Sequence, residues 1–186
     1  MQFGRIILLC IGAAIAYGIV HDQVTIRICP EYFTVAHPQV ISIADPHTRD
    51  QGLLTILALI WGVIATWWVG LGLGIPLAMA ARIGSWPKLT DGVLLKSVLW
   101  LLAVMGVCAA VSGLIAMFVC DGATFRYFYS WVAEQVPRNM HARMEIAGVM
   151  HNVSYAVGFF GGLILCVVTV VRRWRMSRVK SAQGPA

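Results

Sequence analysis

The chain has 186 residues, of which 59% are apolar and only 12% charged, and its formal net charge is +6. Soluble domains carry about 25% charged residues, so these side chains are too few to cover a water-facing surface, and a soluble globular domain is excluded. Four apolar stretches, about 3–20, 53–81, 93–119 and 146–171, are long enough to cross roughly 30 Å of hydrocarbon at about 1.5 Å per residue.

Inside lipid a backbone must satisfy its own hydrogen bonds, which leaves helices or closed barrels. Apolar runs without two-residue alternation do not make a barrel. The expected fold is therefore all-α: one integral membrane domain spanning 1–186, a bundle of four transmembrane helices. Its predicted loops are 21–52 and 120–145 on one side, and a basic tail covers 172–186. Within the first helix, Arg5, the apolar run and the small-residue site Ala14-Ile15-Ala16 together resemble a secretory signal. It is read here as a retained anchor.

The charges set an orientation. The N-terminus, the 82–96 loop and the tail hold nine Lys or Arg and one acid, Asp91, a net of +8. The opposite side holds five arginines and seven acids, a net of −2. Cytoplasmic loops carry the excess of Lys and Arg, so both termini are expected in the cytoplasm. The tail RRWRMSRVK then anchors to anionic headgroups of the bilayer, and no nucleic-acid partner is expected. All five histidines fall on or near the outer side.

The outer loop 21–52 opens with HDQVTIRICPEYFTVAHP, the densest run of reactive side chains in the chain. Val24, Ile26 and Ile28 alternate with Thr25 and Arg27, which predicts a short strand. Tyr32, Phe33, Val35, Val40, Ile41 and Ile43 make the loop apolar enough to fold down as an extracytoplasmic cap, with Pro30, Pro38 and Pro46 punctuating it. Asp45-Pro46 predicts the start of the second helix. That helix carries Gly70, Gly72, Gly74 and Pro76, which predict a kink or tight packing in its inner third. The GLGLG run has no following Lys-Ser/Thr and lies in the apolar span, so it is no phosphate loop.

The third helix is nearly featureless and ends at Cys120. The second outer loop holds Phe125, Tyr127, Phe128, Tyr129 and Trp131, aromatic rings suited to the headgroup level. The fourth helix begins near Pro137 or Asn139. At helical spacing His141, Glu145, Gly148, Asn152 and Tyr155 form one stripe, and Met144, Gly148, His151, Tyr155, Gly158 and Gly162 an adjoining one.

Three kinds of chemistry follow from these residues. Imidazoles and carboxylates suit zinc, iron or copper, or a haem, and the candidate ligands are His21, Glu31, His37, His141, Glu145 and His151. There is no HExxH and no CxxC to strengthen that reading, and histidines equally satisfy loop carbonyls. Asp22 or Glu31 beside a histidine would make an acid/base pair, against which stand five arginines ready for ion pairs. Cys29 and Cys120, both near the oxidising side, are the candidate disulfide. Polar residues do not continue through the membrane depth, so a channel within one copy is not expected.

The pattern His-Asp-Gln, Cys-x-Glu-Tyr-Phe, His-Pro within 21–38 resembles that of small uncharacterised bacterial multi-pass membrane proteins. The resemblance covers 18 residues and implies bacterial origin without a mechanism. Two functions are carried forward. One is a periplasm-facing metal or haem site for redox or hydrolytic chemistry. The other is a non-catalytic subunit or assembly factor, whose aromatic loop and glycine faces would meet membrane-protein partners or a second copy.

Overall fold

A computed structural model describes residues 1–37, 41 and 43–182. Pro38 and Val40 of the expected cap, and the tail beyond Ala182, lie outside the described residues. Helix dominates and no strand occurs among the described residues. In chain order the elements are α1 (Gln2–Ile28), α2 (Glu31–Thr34), α3 (Gln51–Ile64), α4 (Trp67–Arg82), α5 (Asp91–Val119), α6 (Ala123–Phe128), α7 (Ser130–Ala133), a 3₁₀ turn (Arg138–Met140) and α8 (His141–Ala182). Among the described residues, four helices are long and apolar enough to cross a membrane: Gln2–Ile28, Gln51–Arg82, Asp91–Val119 and Arg138–Val179.

α1 runs further than its apolar stretch, and Val24–Ile28 is helical rather than a strand. The polar residues there are satisfied along the helix. The Thr25 hydroxyl donates to the His21 carbonyl at 3.1 Å, and Arg27 reaches back to the Gln23 carbonyl and side chain and across to Thr55 Oγ1. The helix stops where Pro30 forces the preceding residue out of helical geometry; Cys29 is extended, at φ −146 and ψ 95.

The second span is divided. Its N-cap is Asp50, whose carboxylate accepts from the Leu53 N–H at 2.8 Å, not Asp45. The division falls at Ala65–Thr66, ahead of the glycines and Pro76. The Thr66 hydroxyl donates to the Gly62 carbonyl, while the Thr66 N–H turns to Val63 instead. Such back-bonding bends helices. Pro76 lies inside the continuous α4.

α1 lies against α3 and α4, and α8 against α5 and α4. Contact across α1 depends on glycine. A Cβ on Gly62 would stand 2.5 Å from the Ile19 backbone, and one on Gly70 would stand 2.6 Å from Ile11 Cα; small residues let membrane helices approach this closely. On α8, Met144, Ala147, His151, Ser154, Gly162, Leu165, Thr169 and Arg173 are buried, an inward face at helical spacing.

The two ends of the bundle differ. At the basic end Arg5 pairs with Asp91 at 3.0 Å. At the other, loop-rich end the two connecting segments pack on one another through Cys29, Val35, Phe125, Val132, Val136, Met140, Met144 and Ala147. Phe33 joins Ile26, Leu54, Leu57, Ala58 and Trp61.

The expected Cys29–Cys120 disulfide is not formed. All five cysteines are free thiols. Cys29 is fully buried, with Sγ 3.6 Å from Glu31 Oε2 and 3.8 Å from Met144 Sδ. Cys120 packs in a separate cluster with Ala116, Ile146 and Met150.

Candidate functional site: a buried His–Asp–His cluster

The extension of α1 carries His21 and Asp22 to a level where α8 presents His151. One ligand atom from each of these three residues lies within 4.8 Å of the others. All three belong to membrane-length helices, so the cluster sits inside the bundle.

Hydrogen bonds fix the orientation of His151. Its Nδ1–H donates to the Ala147 carbonyl at 2.8 Å, one turn earlier on α8. Its Nε2 then faces Asp22 Oδ1 at 3.2 Å. With Nδ1–H committed to a carbonyl, that contact holds one proton between the two groups. They are either imidazolium and carboxylate, or imidazole and carboxylic acid. Both side chains are nearly inaccessible, 9% and 5% exposed, and a buried charge of this kind is costly unless paired.

His21 completes the cluster from the preceding position of α1. Its ring meets His151 edge-on with centroids 4.6 Å apart and stacks on Tyr17 at 5.6 Å. Its Nε2 is buried and has no hydrogen-bond partner among the described residues. A buried imidazole nitrogen left open is uncommon in folded proteins. Tyr32 stacks on the His151 ring, centroids 4.5 Å apart, which brings α2 against the cluster. Beside it Tyr17 Oη and Ser154 Oγ share a 2.8 Å hydrogen bond.

A cavity of about 490 Å³ leads away from the cluster between α1, α4, α5 and α8. His21, Asp22, His151, Tyr17 and Ser154 line its polar end; Leu73, Leu101, Met105 and Leu163 line its walls; Cys10 and Cys166 lie at its far end. A broader surface depression of about 760 Å³ at the basic end, between Pro87 and Val179, holds none of the histidines.

Of the six ligands expected from the sequence, the structure brings His21 and His151 together and places the other four elsewhere. Glu31 is fully buried and accepts from Arg49 Nη2 at 2.6 Å, with His47 Nδ1 at 3.4 Å. Burial alone would raise its carboxyl; the bonds and charge of Arg49 outweigh that and hold it below the ordinary carboxylate value. His37 Nδ1–H donates to the Tyr32 carbonyl at 2.8 Å, and its ring rests on Trp61. His141 Nε2–H is shared by the carbonyls of Val136 at 2.9 Å and Ala133 at 3.2 Å, which ties down the α7 segment. Glu145 accepts from the N–H groups of Gly122 at 3.1 Å and Phe125 at 2.7 Å, satisfying the first turn of α6.

The ligand-type residue absent from the expected set is Asp22. Its signal was present: a carboxylate adjoining an apolar span and next to a histidine, and ionisable groups at membrane depth are expensive enough to mark function.

No family model matches the chain, and no curated protein or solved structure matches it at a significant level.

Proposed function

We propose that this chain is an integral membrane metalloprotein in which His21, Asp22 and His151 hold one divalent transition ion. The observation that carries the reading is the convergence of three ligand atoms within 4.8 Å, two of them imidazole nitrogens. Two details support it. The Ala147 carbonyl holds the His151 Nδ1–H, the outer contact that orients metal-binding histidines. The open Nε2 of His21 gains the partner it lacks. Ligands about 2.1 Å from one ion stand about 3.0–3.4 Å apart when adjacent, and His151 and Asp22 are already 3.2 Å apart. An ion suits the cluster better than a haem, because the two rings touch edge to face at 4.6 Å and leave no gap for a macrocycle.

Three protein ligands leave coordination positions open. That is the arrangement of catalytic rather than structural sites, and two imidazoles with one carboxylate suit zinc or iron. The reaction class that follows is hydrolytic or redox chemistry at a membrane-embedded ion. The distribution of Lys and Arg supports both termini cytoplasmic, the loop-rich end capping the opposite side and the ion near that face; a bacterial inner membrane, with that side periplasmic, rests on the resemblance carried by 21–38.

The test is metal content and zinc titration of the detergent-purified protein beside His21→Ala, Asp22→Asn and His151→Gln. One tightly held ion per chain, lost in each variant, is the expected result. Equal binding by wild type and all three variants overturns the reading. A non-catalytic subunit is the competing role. Its support, the exposed run Tyr127, Phe128, Tyr129 and Trp131, is equally suited to lipid headgroups.

A further inference from the structure

The cavity that starts at the cluster has an asymmetric lining. Its ionisable oxygen- and nitrogen-bearing side chains gather at one end. From there it follows α8 from His151 to Cys166, about 22 Å of helix rise. That is longer than half of the roughly 30 Å hydrocarbon layer, so one leaflet-length chain fits along it. The volume of about 490 Å³ falls within the roughly 300–1,000 Å³ of small-molecule sites.

The cavity also has a side entrance. Trp68, Gly72 and Pro76 of α4 and Tyr155, Phe159 and Leu163 of α8 line it and are all exposed. These residues lie on membrane-length helices, so the opening gives onto lipid rather than water. A Cβ on Gly72 would meet nothing within 4 Å, so the space beside it is open.

We infer that this cavity binds a single-chain lipid with a monoanionic oxygen head, a long-chain carboxylate, with its chain between α4, α5 and α8 and its head at the His21–Asp22–His151 site. The inference rests on the metal reading for the sign of the head. Two neutral imidazoles and one carboxylate around a divalent ion leave a net charge of +1. A carboxylate cancels that charge, and in a low-dielectric interior the attraction is large. The other polar groups at that end, Tyr17, Ser154 and Tyr155, carry no charge. Entry from the bilayer matches an amphiphile already dissolved there.

The experiment measures radiolabelled palmitate binding to the full chain in detergent, with zinc supplied and with zinc removed, and hexadecanol as the uncharged competitor. Zinc binding is measured on the same samples. The proposal expects saturable palmitate binding with zinc present, at least about tenfold weaker without zinc, and poor competition by hexadecanol. Gly72→Phe and Met105→Trp fill the cavity from two walls and should abolish palmitate binding while zinc binding persists. Zinc binding without saturable palmitate binding overturns this inference and leaves the metal reading intact. Palmitate binding that ignores zinc, or survives both filled cavities, also overturns it. Absence of zinc binding removes the metal reading and the anionic head together.

Discussion

His151 Nε2 lies 3.2 Å from Asp22 Oδ1, although 129 positions separate the two residues in the chain. The contact joins the first membrane-length helix to the last at the point where the loop-rich end begins. Neither residue has an alternative partner of opposite charge: the other ion pairs among the described residues are Arg5–Asp91 and those of Glu31 with Arg49 and His47. The pair is therefore both a tie between α1 and α8 and the core of the proposed ion site.

Those two roles are separable by Asp22→Asn. The amide can still donate to His151 Nε2, so the tie survives, and the melting temperature in detergent should change little. The anionic ligand is lost, so zinc affinity should fall by more than the 10–100-fold seen when outer-sphere partners are removed. Asp22→Ala removes tie and ligand together and should lower both. If Asp22→Asn and wild type take up zinc equally, Asp22 is not a ligand.

The thiols give an independent check on the loop-rich end. Burial first, and then the Glu31 carboxylate, push the Cys29 thiol up to about 12. A thiol reacts through its thiolate, so Cys29 should resist N-ethylmaleimide at pH 8 in the folded protein and react once the chain is unfolded in SDS. The intact mass under non-reducing conditions should equal that of the fully reduced chain. A mass showing a bond between Cys29 and Cys120 would contradict the arrangement in which each thiol packs in its own cluster.

Much of this architecture was legible from hydropathy alone, because length against bilayer thickness depends only on local composition. The four spans follow from it; of the stripe expected through His151, Met144, His151 and Gly162 are buried, while Tyr155 is exposed. Three features were not. The helical path of Val24–Ile28 depends on Thr25 and Arg27 finding partners within and beside α1, and the two-residue alternation hid this. The division at Thr66 comes from a hydroxyl taking a carbonyl one turn back, which a search for glycine and proline does not detect. The grouping of ligands is tertiary. Sequence placed His141, Glu145, His37 and Glu31 at the correct end, but each is held by nearby carbonyls, N–H groups or Arg49, and only the geometry separates them from His21, Asp22 and His151.

Glu31 should make the fold acid-sensitive. Its carboxyl lies below the ordinary value of 4.5 in the folded chain, with burial opposed and outweighed by Arg49. A carboxyl lowered on folding contributes stability that is fully present above its unfolded value and is lost as pH falls through the folded one. Unfolding temperature should therefore hold between pH 7 and about 5, then fall below about 4.5. Arg49→Ala leaves a buried carboxylate without its main partner and should cost about 1.5–3 kcal/mol, toward the lower figure because Arg49 is half exposed and screened. Glu31→Gln should flatten the acid branch. An unchanged acid branch in Glu31→Gln would assign the sensitivity to another group.

Arg173 predicts the behaviour of the opposite end. Its guanidinium donates through Nε to the Pro87 carbonyl at 2.8 Å, through Nη1 to Ala80 at 2.6 Å, and through Nη2 to Ile83 at 2.8 Å and Trp86 at 3.1 Å. One side chain of α8 thus satisfies the exposed carbonyls that end α4 and the turn leading to α5, groups that have no partner within a helix. Lysine offers three donors from a single point and cannot span this fork of carbonyls. Arg173→Lys should therefore lose most of what Arg173→Met loses, about 2–4 kcal/mol, given about 1.5–3 kcal/mol for a hydrogen bond to a charged group and incomplete additivity. Thermal unfolding in detergent gives the loss, and hydrogen exchange at 83–90 should rise in both variants. Zinc uptake at the far end should be unaffected. Full stability in Arg173→Lys would mean that charge, and not the fork geometry, holds this turn in place.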